Sequence, residues 1–111
     1  MRNMSFSLTT PQMYARTKNV TRRLGWWFLK PGDLVCAVRK SQGLKKGEKV
    51  QRICPIRILK TNPEKLCNMQ RSDVRREGFV SMGKGEFIAM FCRHNKCRPS
   101  KRVNRIEFEF V

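Results

Sequence analysis

The chain has 111 residues, enough for a single domain with one modest hydrophobic core. Its 25 Lys and Arg against 8 Asp and Glu leave a net charge of +17, a self-repulsion that points to a polyanionic partner. Apolar residues make up 40% of it, too many for a disordered chain, and no apolar run approaches the roughly 18 residues needed to cross a bilayer.

In chain order, residues 6–8 read as a short first strand. Thr10 followed by Pro11 marks a helix start, with a capping hydroxyl and a proline at the first helical position, and that helix runs to about Arg16 or Thr17. Residues 18–23 then lead into the aromatic cluster Trp26, Trp27 and Phe28, and Lys30-Pro31-Gly32-Asp33 forms a turn. Residues 34–38 are a continuous apolar run, the signature of a buried strand. A loop follows over 41–49. Residues 50–59 are the next strand, with Cys54, Ile56 and Ile58 on one face, Pro55 at an edge or bulge, and Asn62-Pro63 closing it. Residues 72–77 form a short helix stopped by Gly78. Residues 86–92 form another, with Phe87, Met90 and Phe91 at helical spacing. The last strand alternates Ile106, Phe108 and Phe110 with Arg105, Glu107 and Glu109. Few strands, short helices and much turn chemistry predict an α+β fold with a curved sheet or barrel.

Five cysteines, an odd number, and no secretory signal over residues 1–10 argue against a disulfide framework. A cytoplasmic monomer is expected, with no membrane contact. Cys92, His94 and Cys97 supply three metal ligands where structural zinc takes four, and even with Cys67 their spacing matches no common finger, so no metal and no cofactor are assigned. The loop over 43–47 lacks the full phosphate-loop pattern.

The charge is clustered. Arg16, Lys18, Arg22 and Arg23 form one group; Arg39, Lys40, Lys45, Lys46, Lys49 and Arg52 a second; Arg93, Lys96, Arg98, Lys101, Arg102 and Arg105 a third. Aromatic residues directly after the first group are the combination that stacks and neutralises single-stranded nucleic acid. Arg16, Arg22, Arg23, Trp26, Lys45, Lys46 and Arg98 are therefore the candidate contacts to RNA or single-stranded nucleic acid.

The segments Lys18-Asn19-Val20-Thr21-Arg22-Arg23, Lys30-Pro31-Gly32-Asp33, Arg76-Glu77-Gly78-Phe79 and Val103-Asn104-Arg105-Ile106-Glu107-Phe108 together resemble the ASCH domain, a small relative of the PUA RNA-binding fold. The resemblance extends from Phe6 to Phe110 and is nearest to short members from bacteriophages and prophages, which implies a bacterial or phage-infected host cell. It implies one ASCH domain over residues 1–111, built as a small PUA-like β-barrel with flanking short helices and a cleft for nucleic acid or a nucleoside. One branch of the family hydrolyses N4-acetylcytidine with a Lys, a Thr and a Glu, matched here by Lys18, Thr21 and Glu77; other members are ribonucleases. Asn19 and Arg22 depart from that branch, which carries a smaller hydroxyl residue and an aliphatic one there. These departures and the high basicity favour a polymeric ligand or plain binding.

The residues support both readings. A threonine hydroxyl needs a base, and Lys18 can serve only if neighbouring cations such as Arg16, Arg22 and Arg23 lower its pKa. Glu77 could protonate a leaving amine, or simply pair with a cation. Lys18 and Thr21 share a face on a helical turn but not on a strand.

Overall fold

The computed structural model describes residues 1–41 and 43–111, so the loop predicted over 41–49 is described except at position 42. Five strands, β1 (Arg2–Ser5), β2 (Val20–Arg23), β3 (Leu34–Val38), β4 (Arg52–Lys65) and β5 (Arg102–Phe110), form one sheet in the order β1-β3-β4-β5-β2. Only β1 and β3 run parallel. The sheet curls into half a barrel, and α1 (Thr10–Ala15), α2 (Ser72–Arg76) and α3 (Lys84–Asn95) complete an α+β fold.

Most predicted elements are present with shifted ends. The first strand is Arg2–Ser5 rather than 6–8. Phe6 still donates its amide to the Val38 carbonyl at 2.8 Å, but its own carbonyl accepts from Thr9, turning the chain. Thr10 does not cap α1; its hydroxyl donates back to the Phe6 carbonyl at 2.8 Å, and Thr9 holds the cap position. The chain leaves α1 through Arg16 in the left-handed region, so the helix stops just short of its expected end.

Strand β4 runs through Asn62-Pro63, where the sequence pattern predicts its end. Pro63 pairs with Asn104 of β5, and the β3 ladder reaches only Arg57, so the flank of β4 beside Pro63 faces no strand. A missing amide donor is harmless on such an edge. Pro55 is tolerated for a similar reason. Its carbonyl accepts from Val111 at 3.4 Å, where β5 has just ended. Strand β2 has no strand signature in the sequence. Its four residues carry two arginines and no alternation of apolar with polar side chains.

The core falls into two clusters. Met4, Phe6, Met13, Ile56, Ile58 and Phe108 belong to the first, inside the curl of the sheet. Leu66, Met69, Val74, Phe87, Phe91 and Val103 make the second, where α2 and α3 pack beside the far end of β5. Each fully buried aliphatic or aromatic side chain contributes roughly 1.5–3 kcal/mol. Polar residues of β2 and α2 lie alongside both clusters, and these residues build the site.

Candidate functional site

Lys18 stands two residues ahead of β2, and Glu77 is the residue that ends α2. The two chain segments are stitched together by backbone and side chain. The Asn19 amide donates to the Arg76 carbonyl at 2.9 Å, and Arg76 Nε donates to Asn19 Oδ1 at 3.2 Å. Gly78 makes the approach feasible. It sits at φ +107°, and a Cβ there would lie 2.8 Å from Gln12 Cγ and 3.5 Å from Lys18 Cβ. Only glycine meets both the backbone angle and the space.

Lys18 Nζ donates to Glu77 Oε1 at 2.6 Å and to the Glu77 carbonyl at 2.9 Å, and both side chains are nearly inaccessible. The helix dipole disfavours a carboxylate at this end of α2. Lys18 and Arg22 offset that cost, since Arg22 Nη1 donates to Glu77 Oε2 at 3.0 Å. Burial holds the Lys18 pKa below its ordinary value; Glu77 opposes the shift, and Arg23 and Arg22 add to it.

Arg22 is the hub of an ion network. Its side chain has no exposed surface, and it pairs with Glu77, with Asp73 and, through Nη2 at 2.8 Å, with Glu64. Across the β2–β5 ladder Arg22 stands opposite Arg105, a like-charge pairing that would be destabilising by itself. Asp73 resolves it by accepting from both guanidiniums, with Arg105 Nε at 2.7 Å. Burial works to raise the Asp73 pKa, but hydrogen bonds from Arg105 and Arg22 win and hold it at about 2. Burial likewise opposes the charge on Arg22, and Glu77, Asp73 and Glu64 outweigh it, so its pKa is raised. Glu107 accepts from Arg105 at 2.8 Å and from Arg76 at 3.2 Å, which keeps its carboxyl below the usual range.

Beside this network opens a cleft of about 570 Å³. Lys18, Thr21, Arg22, Arg23 and Glu77 line one side, and Phe87, Met90, Phe91 and His94 of α3 line another. Trp26 and Phe6 also border it, and Lys40 and Ser41 stand where it meets the β3–β4 loop. The three residues matched to catalytic positions thus share one cavity. Thr21 lies in a strand, and Lys18 precedes that strand, so alternation does not send it to the opposite face.

Thr21 Oγ1 accepts from Arg23 Nε at 3.2 Å, and among the described residues no hydrogen bond joins it to Lys18. Arg23 differs from Arg22 in having no carboxylate within ion-pairing distance among the described residues. Its guanidinium rests 4.6 Å from the Phe6 ring centroid. Burial lowers its pKa to about 10, against the pull of Glu77, so it keeps its charge at neutral pH. Trp26 adopts a left-handed backbone, φ 59°, right after Gly25. Buried Asn104 holds it there by donating Nδ2 to the Trp26 carbonyl at 3.0 Å.

The other candidate contacts are dispersed. Arg16 is exposed and lies over the Phe110 ring at 4.9 Å, outside the cleft lining. Lys45, Lys46 and Arg98 are also away from that lining; the first two are on the β3–β4 loop and Arg98 follows α3. Sequence reasoning missed Asp73, Asn104 and the α3 wall. The spacing of Phe87, Met90 and Phe91 reads as core, which Phe87 and Phe91 also are, while His94 stands out in the sequence only as a metal ligand. Among the described residues no cluster of three metal-ligating side chains occurs, and no helix is long and apolar enough to cross a membrane.

No protein-family model matches the chain, and no curated protein does. Solved structures do. An ASCH domain from Lactobacillus crispatus JV V101 superposes with a TM-score of 0.61 at 14% identity, over 98% of this chain and 78% of that one. A DUF984 protein from Enterococcus faecalis V583 superposes with a TM-score of 0.63 at 17% identity, over 91% of this chain and 68% of its own length. At these identities the likeness is one of fold. The protein has an ASCH-like, PUA-like α+β fold.

Proposed function

We propose that the cleft beside β2 binds RNA or single-stranded nucleic acid, taking one nucleotide at Arg23 and Trp26. The observation that carries this reading is the lone Arg23 guanidinium: it lines the cleft, stays charged, and has no carboxylate partner among the described residues. A phosphate or a base edge supplies the acceptors it lacks. The cleft volume of about 570 Å³ falls in the range of small-ligand sites, and Trp26, Phe87 and Phe91 offer apolar walls for a base. The ASCH-like fold and the net charge of +17 agree with a polyanionic ligand.

A salt titration of binding to single-stranded RNA tests it. With about six phosphates contacted, at a slope near −0.7 per phosphate, affinity falls on the order of 300-fold between about 50 and about 200 mM salt. Arg23→Gln should weaken binding about tenfold at fixed salt, equivalent to about 1.4 kcal/mol. Binding that ignores both salt and this substitution would remove the reading.

A second reading is hydrolysis of N4-acetylcytidine or of RNA. It is supported by Lys18, Thr21 and Glu77 lining one cleft and by the lowered pKa of Lys18, which eases its use as a base. The direct Lys18–Glu77 bond and the missing Lys18–Thr21 bond weigh against it. Thr21→Ala would abolish product formation and leave RNA affinity within about twofold if the reading holds, a difference below about 0.5 kcal/mol. Unchanged turnover in that variant excludes Thr21 as the nucleophile.

A further inference from the structure

A second cleft, of about 320 Å³, adjoins the first. Ser7 and Lys40 line both, so the two depressions meet at those residues. The second one lies where Ser7 of the β1–α1 connection and Thr10 at the start of α1 face the β3–β4 loop. Its charged lining is Arg39, Lys40 and Lys49 against Glu48 alone. Glu48 is turned back on its own loop, accepting from the Lys45 amide at 2.9 Å. Arg39 is braced by a hydrogen bond from Nη1 to Gln51 Oε1 at 2.7 Å, and among the described residues the rest of its fork makes no further hydrogen bond. Among the described residues none of these three cations is in an ion pair.

The two clefts have different chemistry. The first has aromatic walls and suits a base; the second has one apolar side chain, Leu44, and three cations. A nucleoside or a single nucleotide uses the first and leaves the second empty. A strand of nucleic acid fills both, because its backbone carries a phosphate to each side of every sugar.

We infer that the Arg39–Lys40–Lys49 cleft is a backbone-phosphate subsite, and that the ligand is a single-stranded RNA oligonucleotide whose chain crosses Lys40 from one cleft to the next. The inference rests on the proposed nucleic-acid reading and specifies its substrate class: a polymer, not a free nucleoside. The subsite recognises phosphate charge and carries no sequence preference, while any base preference belongs to the first cleft.

The test compares cytidine 5′-monophosphate with a single-stranded RNA octamer on the wild-type protein, on an Arg39→Ala/Lys49→Ala double variant and on Arg23→Gln. The double variant should lose on the order of tenfold in octamer affinity, reduce the salt slope by about 0.7 for the one phosphate no longer neutralised, and bind the monophosphate as wild type does. Both substituted residues are exposed, and a thermal melt matching wild type confirms that the fold is kept. An octamer affinity and slope unchanged in the double variant would overturn the subsite; if Arg23→Gln then still weakens both ligands, the first-cleft reading survives it. Octamer binding that depends on Arg39 and Lys49 but not on Arg23 would support the subsite and remove the first cleft. A polyglutamate peptide displacing the octamer at equal charge concentration would overturn the assignment to nucleic acid, as would an octamer that binds no tighter than the monophosphate.

Discussion

Arg22 and Lys46 carry the same charge in opposite surroundings. Arg22 is fully enclosed and contacts Glu64, Asp73 and Glu77. Lys46 is exposed on the β3–β4 loop and has no ion pair among the described residues. Four of the eight acids, Glu64, Asp73, Glu77 and Glu107, are drawn into the single network around Arg22 and Arg105. These acids serve internal structure and are balanced there by Lys18, Arg22, Arg76 and Arg105, so the net charge of +17 lies outside the network. A cation's neighbours, not its sign, decide whether it holds the fold or meets a partner.

The contrast can be broken most sharply at Asp73. Asp73→Asn leaves Arg22 and Arg105 facing each other across the ladder with reduced compensation, and removal of one partner from a buried ion cluster costs about 3–5 kcal/mol. Chemical denaturation would read that as a lowered midpoint at unchanged slope. The same group sets an acid limit. Its folded pKa of about 2 lies below its ordinary value of 3.8, so its contribution is fully present above pH 3.8 and is lost as pH falls from there toward 2. Wild type should lose stability across that window, and Asp73→Asn should lose less of what remains; identical acid slopes in the two proteins would show that Asp73 is not the group responsible.

A smaller effect is expected at Arg57, which pairs with Glu109 at 3.1 Å while both side chains are nearly half exposed. Arg57→Ala should cost roughly 0.2–1 kcal/mol, much of it removable by salt. A destabilisation as large as that of Asp73→Asn would erase the distinction between buried and exposed pairs. The least effect on folding belongs to Lys45→Ala/Lys46→Ala, within about 0.5 kcal/mol of wild type. If the loop faces bound RNA, the same double variant reduces the salt slope of binding, by about 0.7 for each phosphate that is no longer neutralised. A drop in stability without any change in slope would place these lysines with Arg22, as structure.

Much of the architecture was legible because it follows from periodicity and turn chemistry. The β5 alternation, the apolar run of β3, and the Gly78 stop after α2 all appear where the sequence puts them. What could not be read was tertiary in origin. Strand β2 is buried on Val20, Thr21 and Arg22 alike, and a buried arginine is intelligible only once Asp73, Glu64 and Glu77 are seen around it. Lys18, Thr21 and Glu77 could be singled out by resemblance, and they do line one cleft. Their partners could not: the carboxylate between Arg22 and Arg105 arrives from α2, far along the chain. Clustering along the sequence does not give the surroundings of Arg16, Arg22 and Arg23. Neighbours in the chain, they end respectively at the surface outside the cleft, in the ion network where it borders the cleft, and in the cleft without an ion pair among the described residues.

The pairing of β2 with β5 has a consequence for the order in which the molecule is made. Val20 lies against Glu107, so an early segment of chain is fixed by a late one, and closing so long a loop costs entropy that local contacts do not repay. Strands β3 and β4 are neighbours in sequence and can zip first. Thr21 and Arg22 stand opposite Ile106 and Arg105, so their places in the ladder are complete only when β5 arrives. If the cleft holds nucleic acid as proposed, a chain emerging from the ribosome carries much of its positive charge before that cleft exists, and during that interval its electrostatic attraction to polyanions is unselective.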